Sequence, residues 1–414
     1  MQRACAARDF QEIFRLVNRR TGASHAAMAA AIGKMTNSRV SDVIRGVRGI
    51  RGQGVIERVA DGFGIPGEML GLPRRPWEDP PGSVDATGNG NPHLASVLDS
   101  EPRARAQYAH DNPRSLDLLT VAGLRQRVQD LDARYVSEPS TALIAEAGQC
   151  LGQLGHWQTY TTTSVIRRDL HAAQAEASTL MGQLVWDASG RTEHATARTY
   201  FVQAETAARE LCDPIAEGLA LLRTAFVALY GEKNPRAGLE LAQRTASTVK
   251  GYSQVLGGLA VLHAAEAHAM LHERKDCERE LGKAERHFDQ VSGSDAAAPL
   301  FSPSQFGRLA GSCFLFLGDA FRAEESLVGA THALRDGSKP HAIMLSNLAL
   351  AYIRQRKIDE AIAALYVAID VVGRHRGGGG LNLVFQAARE LKPWRDAPAV
   401  HGLYDRLMNL MVVG

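Results

Sequence analysis

No stretch of this sequence stays apolar for anything near the roughly 20 residues that a bilayer span requires. The opening MQRACAARDFQEIF also lacks the apolar core of about 7–15 residues that marks a secretory leader. Both absences predict a cytoplasmic protein with no membrane partner. Cysteine is scarce and scattered: Cys5, Cys150, Cys212, Cys277 and Cys313 include no C-x-x-C pair. That excludes a disulfide framework and fits small buried residues in a reducing compartment. Aromatic residues are only 6% and β-branched clusters are few, which argues against a sheet protein. Chemistry-bearing motifs are missing too. There is no G-x-S-x-G elbow, no G-x-x-x-x-G-K-[ST] loop and no Rossmann glycine pattern after a strand. No acid, base and nucleophile converge, so neither an enzyme nor a cofactor is expected. His268 and His272 lie one helical turn apart but have no third ligand, so no metal is expected either. The run GGGG at 377–380 has no strand beside it and reads as a flexible connection.

What the chain does have is alanine, leucine, arginine, glutamate and glutamine in quantity, the composition of helices. At 414 residues it is too long for one compact core and should divide into domains. The net charge of +2 conceals an asymmetry. Residues 1–75 hold 13 Lys/Arg against 6 Asp/Glu, while the remainder is mildly acidic. A basic head on an acidic body fits a head that meets phosphate.

The head reads as short helices divided by small residues, over 7–72. The first, 9–20, puts Phe10, Ile13, Phe14 and Val17 on one face. Ser24 caps the second, an alanine-rich helix closed by Gly33. Thr36 caps a third, Asn37–Arg45, which buries Val40, Val43 and Ile44 and exposes Asn37, Ser38, Arg39 and Asp42. After Arg48 and Arg51 a fourth helix, 54–63, turns Val55, Ile56, Val59 and Ala60 inward, and a short segment 66–70 ends the domain.

The pieces SHAAMAAAIG, NSRVSDVIRG and VIERVADGFGIPGEML, in that order and spacing, resemble the lambda-repressor-like or XRE-family helix-turn-helix over about 65 residues. The resemblance implies an N-terminal five-helix bundle with Asn37–Arg45 as the recognition helix. It makes Arg39 the candidate for reading guanine, a bidentate contact worth about 1–3 kcal/mol. Asn37, Ser38 and Asp42 are further candidates for base contact. His25, Thr36, Arg45, Arg48 and Arg51 are candidates for phosphates, which fix register without reading sequence. Two features depart from the family: His25 stands where Gln is common, and the turn before the recognition helix is one residue longer.

From Pro73 the sequence PRRPWEDPPGSVDATGNGNPH has nothing with which to build a core and reads as a flexible linker over 73–93. The remaining 94–414 is helix after helix. Within it LSNLALAYIRQRKIDEAIAALYVAIDVV carries Leu345, Leu348, Ala349, Tyr352, Ala361, Leu365 and Ala368 in the order of a tetratricopeptide repeat, which it resembles. Weaker units follow the same frame upstream: Gly311, Phe314, Ala323, Leu327, Ala330; then Ala265, His268, Cys277, Leu281, Ala284; then Ala225, Ala228, Ala237, Leu241, Arg244; then Val185, Ala188, Ala197, Phe201, Ala204. Their spacing of roughly forty residues exceeds the ideal of about 34, and SGSDAAAPLFSP reads as a surface insertion. The expected fold is therefore all-α: the helix-turn-helix domain, then a tetratricopeptide-like α-solenoid. Residues 94–175 would form an atypical helical cap, 176–376 the repeats and 381–414 the C-terminal helices.

First helices of such repeats line a concave groove. In this frame Gln183, Arg223, His263 and Asn347 occupy equivalent positions there, with Trp186, Glu266, Arg308 and Arg354 nearby. By the resemblance, Asn347 stands where peptide-holding members of the fold clamp a ligand's backbone. A plainer alternative makes all eight solvated groove residues. Regulators of this architecture occur among actinobacterial transcription regulators. The resemblance thus implies a sequence-specific DNA-binding regulator on a double-stranded operator, acting as a homodimer. Its repeats would mediate dimerisation and sense a peptide or small-molecule effector. The alternative function is a protein-interaction scaffold whose helix-turn-helix no longer binds DNA.

Overall fold

A computed structural model of the protein describes residues 1–21, 23–73, 75, 104–161, 163–331, 334 and 336–412. Every regular element among them is helical. Their contacts divide the chain into two compact units, 1–128 with 150–173 and 129–149 with 174–414. The expected linker at 73–93 lies, apart from Pro73 and Arg75, outside the described residues.

The first unit begins with α1 (Gln2–Ala6), α2 (Phe10–Thr21), α3 (His25–Ile32), α4 (Asn37–Ile44) and α5 (Gln53–Phe63), closed by a 3-10 turn at Gly67–Leu70. The apolar face read from α2 is buried in full: Phe10, Ile13, Phe14 and Val17 pack with Met28, Val40, Val59 and Phe63. The Phe14 and Phe63 rings meet edge to face at 4.9 Å. Helix α1 had no sequence signal, yet it sends Ala4 and Cys5 into the same core. The alanines of α3 permit a close crossing with α5, which needs Gly62: a Cβ there would sit 2.5 Å from the Ala31 carbonyl oxygen. Helix α6 (104–111) follows.

Three long helices, α7 (Leu118–Tyr135), α8 (Ser140–Tyr160) and α9 (Ser164–Ala188), have residues in both units. The second unit then runs as helix pairs. Helix α9 pairs with α10 (His194–Glu210), α11 (Pro214–Phe226) with α12 (Pro235–Thr248), and α13 (Gln254–Met270) with α14 (Arg274–Asp289). Then come α15 (Ser304–Phe316) with α16 (Ala320–Thr331) and α17 (Lys339–Arg354) with α18 (Ile358–His375), followed by α19 (Gly378–Glu390) packed on α17 and α20 (Pro398–Val412) packed on α18. Each pair packs on the next, the solenoid that the repeats predicted. Small residues sit where helices touch: Ala265, Ala284, Ala323, Ala349, Ala361 and Ala368 are buried.

Three sequence readings need correction here. In the α11–α12 pair the buried second-helix positions are Gly238, Ala242 and Thr245, one residue beyond the Ala237, Leu241 and Arg244 read from the frame. The cause is a π turn at Val227–Gly231, which adds one residue to the first helix and shifts everything after it. Gly238 is then the close-contact position, since a Cβ there would lie 2.3 Å from Leu229. Secondly, GGGG is no flexible connection. Gly377 precedes α19 and Gly378, Gly379 and Gly380 form its first turn, all buried. A Cβ on Gly378 would come within 2.8 Å of the Gly190 backbone. Thirdly, the segment 292–303 does more than decorate the surface. Its Asp295 accepts hydrogen bonds from Ser253 Oγ (2.7 Å) and the backbone N–H groups of Gln254 (2.7 Å) and Val255 (3.1 Å), capping α13.

Helices from the two ends of this unit meet. Lys339 Nζ donates to Asp187 Oδ2 (2.9 Å) and Ser140 Oγ (2.8 Å), and Ser140 donates to the same Asp187 oxygen (2.7 Å). All three residues are buried. Asn382 Nδ2 donates to the Gly190 carbonyl at 3.1 Å.

Candidate functional site

In the first unit the helix-turn-helix is built by two side-chain caps. Ser24 Oγ accepts from the Ala27 N–H and Thr36 Oγ1 from the Arg39 N–H, each at 3.2 Å. The turn between α3 and α4 passes through left-handed backbone at Gly33 and Lys34. Met35 packs against the core, which accommodates the extra turn residue. From α2, Gln11 and Arg15 donate to the Ile44 carbonyl (3.3 and 3.1 Å), satisfying the negative end of α4. Those two residues carried no sequence signal, because their role depends on where α2 lies across α4.

Thr36, Asn37, Ser38, Arg45, Arg48 and Arg51 are exposed, and His25 is half-buried at the start of α3. The two other recognition-helix candidates are half-buried and engaged. Arg39 Nη2 donates to the Gly49 carbonyl at 3.1 Å. Asp42 pairs with Arg45 at 2.8 Å, which makes Asp42 a positioning partner of Arg45 in this conformation. Arg75 is committed elsewhere, donating twice to Asp61 (2.8 and 2.7 Å).

The eight groove candidates of the second unit divide differently. Gln183, Trp186, His263, Glu266 and Asn347 are buried, not solvated, and Arg223 and Arg308 are nearly so. Six of them belong to one polar network on the first helices of successive pairs. Desolvation raises the Asp132 carboxyl, and Arg223 and Gln183 draw it back. The Arg223 guanidinium, depressed by burial, lies 5.3 Å from the Phe226 ring, and that ring lies 4.4 Å from His263. Tyr230, carried inward by the π turn, donates to Glu266, and its hydroxyl lies 2.9 Å from His263 Nδ1. Ser312 donates to the other Glu266 oxygen at 2.6 Å. Burial raises the Glu266 carboxyl, but His263, Ser312 and Tyr230 outweigh it and hold it below the ordinary carboxylate range. Arg308, depressed by burial, is drawn back by Tyr230 and Glu266.

Trp186 connects through Arg191, whose guanidinium lies 4.7 Å above the indole. The Nε atoms of Arg191, Arg223 and Arg308 and the Trp186 indole nitrogen are buried without a hydrogen-bond partner. Arg354 does not join them. It donates twice to Glu390 (3.1 and 2.9 Å) and once to the Leu315 carbonyl (2.7 Å), tying pairs together. Sequence reasoning missed Asp132, Tyr230 and Arg191. Tyr230 falls in the π turn, and Arg191 in the connection after α9, where no repeat frame applies.

Among the described residues His268, Glu273 and Asp276 place ligand atoms within 4.8 Å of one another. His268 Nδ1 is already bound to Glu273 at 2.6 Å, and His272 is not part of the group.

No family model matches the sequence, and no curated protein does. Among solved structures, the apo form of the quorum sensor NprR from B. thuringiensis aligns with 77% of this chain and 90% of its own length. The TM-score is 0.42 and the identity 12%. At that level of likeness no property passes from one chain to the other.

Proposed function

We propose that the protein is a sequence-specific DNA-binding transcription regulator of XRE type, acting as a homodimer. Its α4 helix would enter the major groove, and its repeat unit would hold a peptide or small-molecule effector. The observation that carries the DNA half is the doubly capped α3–turn–α4 element with Thr36, Asn37, Ser38, Arg45, Arg48 and Arg51 exposed around it. Exposed N-terminal residues on the second helix are what base reading requires, and surrounding cations are what phosphates require. Arg39 would leave the Gly49 carbonyl to reach a guanine, exchanging one acceptor for two. Dimerisation follows from the short half-site that a single helix-turn-helix covers. The effector half rests on the unpaired buried donors of the repeat interior.

One observation favours a scaffold without DNA binding: Arg39 and Arg45 are both engaged within the chain. Binding of the full chain to duplexes selected from random sequence separates the readings. Replacing Arg39 by alanine should weaken the selected site by about 1–3 kcal/mol and relax one base position. Arg48→Ala should weaken all duplexes alike and lower the salt slope by about 1. Selection that enriches no motif would support the scaffold.

A further inference from the structure

Between the end of α9 and the start of α19 lies a cavity of about 110 Å³. One wall is apolar, from Val136, Pro340, Ile343 and Val371; the other carries Arg191, Lys339 and His375. The glycines at 377, 379 and 380 line it with backbone. Helix α19 is 13 residues long and no side chain caps its N-terminus. Its first-turn N–H groups therefore bring the positive end of the helix to this wall.

Three features of the lining indicate what the cavity takes. Lys339 is already neutralised by Asp187 at 2.9 Å, whereas no carboxylate among the described residues pairs with Arg191. One positive charge is left over. Next, two buried nitrogens on the lining have no partner: Arg191 Nε and His375 Nδ1. His375 is 9% exposed and its Nε2 donates to the Gly337 carbonyl, so Nδ1 is the atom left for a ligand. A carboxylate accepts from this nitrogen when it carries a proton. Lastly, Arg191 sits at φ +66 in the turn after α9, against the first turn of α19. A Cβ on Gly379 would lie 2.2 Å from its Nη2, so the glycine gives the guanidinium its place at the helix N-terminus.

The size limits the tail. A dry engineered cavity of about 150 Å³ admits benzene, so a space somewhat smaller suits about four or five heavy atoms beside the carboxyl-binding wall. We propose that this cavity binds the carboxylate of a short aliphatic acid. The carboxylate would belong either to a free monocarboxylic acid or to the C-terminal aliphatic residue of a short peptide. The inference deepens the reading of the repeat unit as an effector-holding domain.

Calorimetric titration of the full chain, without DNA, tests it with four probes. These are isovalerate, isovaleramide, a pentapeptide ending in valine with a free carboxylate, and the same peptide amidated. At least one acid should bind, at least tenfold more tightly than its amide. Isovalerate alone binding identifies a free acid as the ligand, and the peptide alone identifies a chain terminus. Arg191→Gln should weaken the acid at least tenfold and leave the amide unchanged. Binding of neither acid, or equal binding of acid and amide, overturns the proposal even if the variant fails to fold. An unchanged affinity in a folded Arg191→Gln overturns it as well. DNA affinity is read in a separate experiment, so failure here with selective DNA binding intact would leave the regulator reading standing.

Discussion

At the scale of the residue, the second unit depends on buried charge whose partners are few. Asp187 is 3% exposed and Lys339 8%, and the pair is shared with Ser140. Burial depresses the Lys339 ammonium and Asp187 counters it. Removing one partner strands the other in a dry site, so Asp187→Ala should cost about 3–5 kcal/mol in chemical denaturation. Asp187→Ala with Lys339→Met should recover most of that loss, because no charge is then left unpaired. A double variant as unstable as the single would show that packing, and not the ion pair, holds α9 and α17 together here. Gln183, Arg223 and His263 were legible as inner residues because a repeat frame assigns equivalent positions to first helices, and Glu266 because it stands beside His263 on the same helix. Arg191 and Lys339 were not. Lys339 meets Asp187 across 152 residues, and a contact between helix pairs so far apart in the chain leaves no periodic trace in a sequence.

Helices were legible wherever a face or a cap had local chemistry, and illegible where one element depended on another. Ser24, Thr36 and Gly33 delimit α3 and α4 as expected. The π turn at Val227–Gly231 had no signal, and it moved the frame of α12 by one residue. The GGGG run misled because glycine is ambiguous from sequence: it either frees a chain or lets another approach. Here it lets α19 approach Gly190. Gly378→Ala should therefore destabilise by about 1–3 kcal/mol through overpacking, where a flexible connection would gain a few tenths. Thermal unfolding distinguishes the two by sign. Asp295 adds a pH signature. Burial raises its carboxyl, but Ser253 and the backbone N–H groups outweigh this and hold it below its ordinary value of 3.8. A depressed folded-state value contributes stability that is fully present above pH 3.8 and disappears as pH falls through the lowered value. Asp295→Ala should cost about 0.5–2 kcal/mol at neutral pH and lose that difference under acid conditions. An equal deficit at both ends of the range would exclude the charge as its source.

For the whole molecule the account joins a basic head to a helical interior that lacks partners for its own donors. Charge asymmetry and composition led to an expected division into head and repeats, whereas the compact units are 1–128 with 150–173 and 129–149 with 174–414. Which described residues belong to which unit was not legible, because α7, α8 and α9 have residues in both. Dimerisation predicts a mass near twice 44.7 kDa by sedimentation and an operator with half-sites about one helical turn apart. The central claim is DNA reading by α4. Genome-wide mapping of DNA bound by the protein, beside an Arg39→Ala, Arg45→Ala variant, tests it most directly. The account predicts discrete bound sites sharing an inverted-repeat motif that the variant no longer occupies. Absence of enriched sites, or the same sites bound by the variant, would contradict it.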